Sequence, residues 1–175
     1  MNIVGVSRIH NSATTLVQDG EVVFHLENER LSNIKYDAYP FLTLAKLPEY
    51  IENVNRIGIA GCAPCNSIEP FTEHDPYTTY ISRLNRNFFE QDMQVVDYWD
   101  SHHMLHAAHA FYNSGFENAV CIIKDGMGSE FHIDDPNFVP GSYGREISSV
   151  YFASYPDNLV AWEKEVFVPF ECDYK

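Results

Sequence analysis

Four histidines crowd the stretch Asp100–Gly128, which reads DSHHMLHAAHAFYNSGFENAVCIIKDGMG. On a helix, His102, His106 and His109 share one stripe, because at about 100° per residue the last two fall about 40° and about −20° from the first. Two imidazoles at i and i+4 can both reach a single cation of the first transition row. His103 points about 100° away from that stripe. The alternative is that these are simply partly buried or surface histidines of an amphipathic helix.

The residues downstream of the histidines favour a site. Ser114-Gly115 predicts the helix end, since glycine just past a periodic segment is the usual terminator, and the apolar run Ala119–Ile123 predicts a strand. That strand delivers Asp125-Gly126-Met127-Gly128. A carboxylate at a strand end followed by spaced glycines suits a metal or a phosphate: the oxygen ligates, and glycine lets backbone N–H groups approach an anion.

The elements around this stretch are set by pattern. Asn2–Val6, Ser12–Gln18 and Glu21–Glu27 predict strands, with Asp19-Gly20 as a tight turn. The polar loop Ser7–Ser12 lies between the first two, and His10 is its most reactive group. Residues 28–37 are dense in mixed charge. From Pro40 to Asn53, Leu42, Leu44, Leu47 and Ile51 sit at roughly helical spacing, and Pro48 is placed to kink or split that helix.

Arg56–Ala60 predicts a strand, Tyr77–Gln91 a helix, and Gln94–Tyr98 a further strand leading into the histidine helix. Residues 134–144 are rich in turn formers, whereas Ile147–Ala153 and Val160–Val168 alternate like strands. The expected architecture is an α/β layer fold, a mixed sheet covered by helices, with ligands at strand ends. We expect one domain over residues 1–175, without internal repeat.

Composition narrows the function classes. Hydrophobic residues make up 45% and charged residues 21%, a globular balance. A formal charge of −14 repels nucleic acid and anionic membrane, so neither is an expected partner, and a phosphate ligand needs a local site. No run of about 18 apolar residues and no basic-then-apolar leader is present, so a cytoplasmic protein is expected. Cys62, Cys65, Cys121 and Cys172 read as thiols; the lone Cys62-Ala-Pro-Cys65 pair has no second C-x-x-C to complete a zinc site.

Two stretches carry a family resemblance. GVSRIHNSATTLVQDGEVVFHLENERLSNIKYD resembles the opening of O-carbamoyltransferases of the NodU/CmcH type, and HHMLHAAHAF resembles their central histidine motif. With the Asp125 turn, the likeness spans about Ile3 to Gly128 and joins three separated motifs in order. Asn11 stands where that family commonly has Asp, His109 where it has Ser, and Lys124 where an apolar residue is usual.

The resemblance implies an actin-like ATPase, ribonuclease H-like fold, of which this chain would be the first lobe only, akin to the tRNA threonylcarbamoyl-transfer proteins. It implies ATP and carbamoyl phosphate as substrates, a carbamoyl-adenylate intermediate, and transfer of carbamoyl to the hydroxyl of a small-molecule acceptor. By the same likeness His102, His106 and Asp125 hold a divalent metal (Fe, Mn or Zn). His10 and Lys35 lie near the carbamoyl-adenylate, and Gly126 and Gly128 form its phosphate-side turn.

His10 would serve as general base or orienting donor at the acceptor, and Lys35 would counter negative charge. Family members carry a second lobe and a C-terminal adenylate-forming domain that do not fit within 175 residues. A missing half supplied by the same or another chain, or a homodimer, is therefore expected. The competing expectation is a non-catalytic metal- or nucleotide-binding module acting as partner or regulator.

Overall fold

The computed structural model describes residues 1–8, 11–61, 94–98, 101–126, 128–132 and 143–168. Where one domain was expected, these residues fall into two compact units, one holding residues 1–61 and 94–98 and the other residues 101–168. Each has its own sheet and buries its own apolar set.

The first unit is a five-stranded mixed sheet in the order β3-β2-β1-β4-β5. β1 (Asn2–Ser7), β2 (Ala13–Gln18) and β3 (Glu21–Glu27) form an antiparallel meander, while β4 (Arg56–Ala60) and β5 (Gln94–Tyr98) add on parallel to β1. The turn between β2 and β3 takes positive φ at both Asp19 (51°) and Gly20 (94°), the twist that suits a two-residue hairpin. Alternation decides which face is covered: Val4, Val6, Leu16, Ile57 and Ile59 point to one side and are buried with Leu44, Leu47, Ile51 and Val54.

The helix expected from Pro40 to Asn53 is broken. α2 (Phe41–Leu44) ends, and a 3₁₀ turn at Leu47–Glu49 comes next. Pro48 is the cause: it has no N–H to give the Leu44 carbonyl, and its ring clashes with that carbonyl.

Before it, the charged segment packs as α1 (Glu29–Ser32) and a return that turns at Lys35-Tyr36 and is fixed by buried Asn28. The Asn28 amide donates to Asp37 Oδ2 at 2.7 Å, and its Oδ1 accepts from the backbone N–H of Leu42 and of Thr43, each at 3.1 Å. One side chain thus closes the loop that carries Lys35.

The second unit is built on β8 (Tyr143–Ser154). β6 (Asn118–Lys124) pairs antiparallel with Ser148–Ser154, β7 (Glu130–His132) with Tyr143–Arg145, and β9 (Asn158–Phe167) runs antiparallel along β8. β6, β8 and β9 pair antiparallel in turn, as β1, β2 and β3 do, but with β7 inserted in the chain between β6 and β8.

α3 (His102–Ser114) covers one face through Ala107 and Phe111 against Cys121, Tyr151 and Ala153. It stops at Gly115, whose φ of 76° is the left-handed conformation that glycine adopts freely. The opposite face presents Val120, Ile122, Phe152, Val160 and Trp162, all exposed. Among the described residues no helix is long and apolar enough to cross a membrane.

Candidate metal centre

α3 and the end of β6 bring three of the expected residues to one point. His102 Nε2 lies 2.9 Å from Asp125 Oδ2, His106 Nε2 lies 3.1 Å from His102 Nε2, and His106 Nε2 lies 3.9 Å from Asp125 Oδ2. Donor atoms sharing one ion at about 2.0–2.1 Å stand roughly 3.0–3.4 Å apart, so this two-nitrogen, one-oxygen set approaches one face of a coordination polyhedron, with the His106–Asp125 pair, at 3.9 Å, wider than that range.

Protons serve these contacts only in part. His102 Nε2 has a single in-plane position, shared between a carboxylate oxygen and the Nε2 of His106. A proton there serves Asp125 and is at best shared with the lone pair of a neutral His106; a lone pair there opposes the carboxylate. A cation at the point of convergence would accept all three lone pairs, so His102, His106 and Asp125 fit a divalent metal.

The site is tied down from behind. Asp125 N–H donates to the Ile147 carbonyl at 3.2 Å, and Gly126 N–H donates to the Asp125 Oδ1 at 2.6 Å. Ser101, the residue before α3, makes no side-chain cap; instead Ser129 Oγ accepts from His102 N–H at 3.3 Å. Gly128 N–H donates to the Glu146 carbonyl at 2.7 Å, so this amide is committed to the strand rather than free to face an anion.

His103 does point away from the ligands, and it is fully buried, with Nδ1 2.8 Å from Ser149 Oγ. Burial, ahead of every charge nearby, pushes its pKa below the ordinary 6.5; the Glu146 carboxylate opposes the shift. His106 is lowered as well, by loss of surrounding water first and by the His102 imidazole next.

The lowered pKa of His103 sets the sign of a pH effect. Below 6.5 the unfolded chain takes up a proton at His103 that the folded chain resists, so stability is full above 6.5 and declines as pH falls from there. Thermal melts of the metal-free chain should show this decline, and His103→Asn should flatten it.

His109 does not join the cluster: its ring lies 3.4 Å from the Asn113 amide, and that amide donates to the His109 carbonyl. Lys35 belongs to the first unit, where its ammonium stands 4.8 Å from the centre of the Tyr36 ring. His10 lies outside the described residues, as do Cys62, Cys65, Cys172 and the helix expected over Tyr77–Gln91. Cys121 is buried in β6, where burial pushes its thiol pKa up, as a structural thiol requires.

Sequence reasoning missed Ser129, Glu146 and Ser149, which lie behind the ligands. Glu146 falls one residue before the strand expected over Ile147–Ala153, so no pattern singled it out.

No protein-family model matches the sequence, and no curated protein matches it. Among solved structures the chain is similar to YeaZ from Pseudomonas aeruginosa, at 11% sequence identity and a TM-score of 0.44 over 95% of this chain and 68% of that one.

Proposed function

We propose that this chain is the metal-binding part of an ATP- and carbamoyl-phosphate-dependent O-carbamoyltransferase, passing carbamoyl from carbamoyl-adenylate to the hydroxyl of a small-molecule acceptor. One observation carries the reading: the three residues that the motif resemblance assigns to a metal, His102, His106 and Asp125, converge with their ligand atoms within 4.8 Å of one another. The strand order of the first unit, with a meander and then two parallel strands, is that of an actin-like, ribonuclease H-like lobe. The antiparallel strands β6, β8 and β9 then serve as the opening strands of the second lobe.

The metal, when bound, supplies a Lewis acid for a carbonyl or phosphoryl oxygen. His102 and His106 hold it as neutral imidazoles and Asp125 as a carboxylate. His10 acts at the acceptor hydroxyl and Lys35 on the phosphate side, with Gly126 in the turn beside Asp125. The adenylate-forming domain and the remainder of the second lobe come from the same or another polypeptide.

Purified as residues 1–175, the chain should bind a divalent metal but neither release AMP nor carbamoylate an acceptor when given ATP and carbamoyl phosphate, because this reading assigns adenylate formation to a separate domain. Turnover by this chain alone would refute the division of labour, and metal binding that persists without His102 and His106 would refute the site. The exposed row Val120, Ile122, Phe152, Val160 and Trp162 is a contiguous apolar patch free of charge at its centre. It should pair with a second copy in the isolated chain, and light scattering should show a dimer that Ile122→Thr combined with Trp162→Thr dissociates.

A further inference from the structure

Behind the ligands lies a buried polar cluster that the metal-site reading does not use. Glu146 and His103 are almost completely buried, at 1% and 0% exposure, and Ser149 is buried beside them. A carboxylate out of water costs several kcal/mol unless paired. One oxygen of Glu146 accepts from Lys164 of β9; the other lies 4.0 Å from His103 Nδ1 and has no hydrogen-bond partner among the described residues.

A bulge puts these groups on one side. Between β8 and β9 the register moves from Glu146 opposite Val166 to Ser148 opposite Glu165, leaving Ile147 unpaired. In an unbroken strand Glu146 and Ser149 would point to opposite faces; with the extra residue both face α3. Lys164 sits directly opposite Ser149 and so projects to the same face.

The same short stretch of β8 grips both segments that supply ligands. Glu146 N–H donates to the Ser129 carbonyl at 3.1 Å, its own carbonyl accepts from Gly128, and the Ile147 carbonyl accepts from Asp125. Its side chain meets His103, the residue next to the ligand His102.

Resting on the metal-centre reading, we propose that Glu146, held by Lys164, is the positioning residue of that centre. Its carboxylate, 4.0 Å from Nδ1, backs the His103 ring that Ser149 holds, and the strand around it ties down Asp125, Gly128 and Ser129, so that His102 and Asp125 aim at one cation. Outer partners of this kind set the orientation of metal ligands, and losing one typically costs about 10–100-fold in affinity.

The experiment is a Co²⁺ titration of the purified chain, read by affinity and by the visible d–d absorption, which reports ligand geometry rather than mere foldedness. Glu146→Gln keeps the shape and backbone bonds but removes the charge. Lys164→Met acts from a partly exposed position and keeps the test open if Glu146→Gln does not fold.

Both variants are expected to bind Co²⁺ at least about tenfold more weakly with an altered d–d band, and Lys164→Arg to recover the wild-type values. Binding that is lost in the His102→Ala, His106→Ala variant yet unchanged in affinity and spectrum in Glu146→Gln and Lys164→Met overturns the positioning role alone. A wild-type chain that takes up no Co²⁺ overturns the metal-centre reading and this inference with it.

Discussion

Gly128→Ala is expected to cost about 3 kcal/mol in the second unit and to weaken metal binding at least about tenfold. A methyl group at this position would stand 2.6 Å from His103 Nε2, 2.7 Å from Glu146 Cβ and 2.9 Å from the Glu146 carbonyl oxygen. No rotamer escapes, because the nearest ring is fully buried and held by Ser149, and the carbonyl belongs to a strand paired on both sides. Pushing the His103 ring back moves the first turn of α3, and His102 with it. Gly126→Ala is the contrast: a methyl there meets nothing within 4 Å, so stability should stay within about 0.5 kcal/mol. Thermal unfolding of both variants, with metal titration alongside, reads the difference.

His102→Ala combined with His106→Ala should abolish detectable metal binding while leaving the fold in place. Two of three ligand atoms disappear, and the remaining carboxylate, Asp125, is partly exposed and binds a transition ion poorly alone. The His106 side chain is 52% exposed, so its loss barely touches packing. The linked readout is thermal: a ligand at 100 times its dissociation constant stabilises the fold by about 2.7 kcal/mol, so the wild-type melting temperature should rise with Zn²⁺ and the variant's should not. A variant that still melts higher with Zn²⁺ would place the metal elsewhere.

How much of this was legible in the sequence depended on how local each signal is. The hairpin at Asp19-Gly20, the strands Glu21–Glu27 and Arg56–Ala60, and the helix ending at Gly115 each rest on neighbouring residues, and each was found where it was expected. The pairing of His102 with His106 is likewise a consequence of helix pitch, and Asp125 joins them because β6 ends beside the start of α3. His109 satisfied the same pitch but turned outward to Asn113, since a stripe specifies a face and not a contact.

The parts that were not legible are the non-local ones. Two units rather than one result from which strands pair, and no residue pattern states that Ile57 joins a sheet with Val4 while Cys121 joins another with Tyr151. Gly126 and Gly128 look alike in sequence, yet one faces open space and the other is a contact surface for His103. Glu146 lies just outside the strand expected over Ile147–Ala153, and strict alternation would put it on the face opposite Ser149; the bulge at Ile147 brings both to one face.

The most direct test of the metal centre is X-ray absorption spectroscopy on the wild-type chain loaded with one equivalent of Zn²⁺. The account predicts a first shell of two imidazole nitrogens and carboxylate oxygen at about 2.0–2.2 Å, completed by light solvent atoms. Sulfur at about 2.3 Å, which would assign the ion to Cys62 and Cys65, or a shell without the imidazole multiple-scattering pattern, would contradict it.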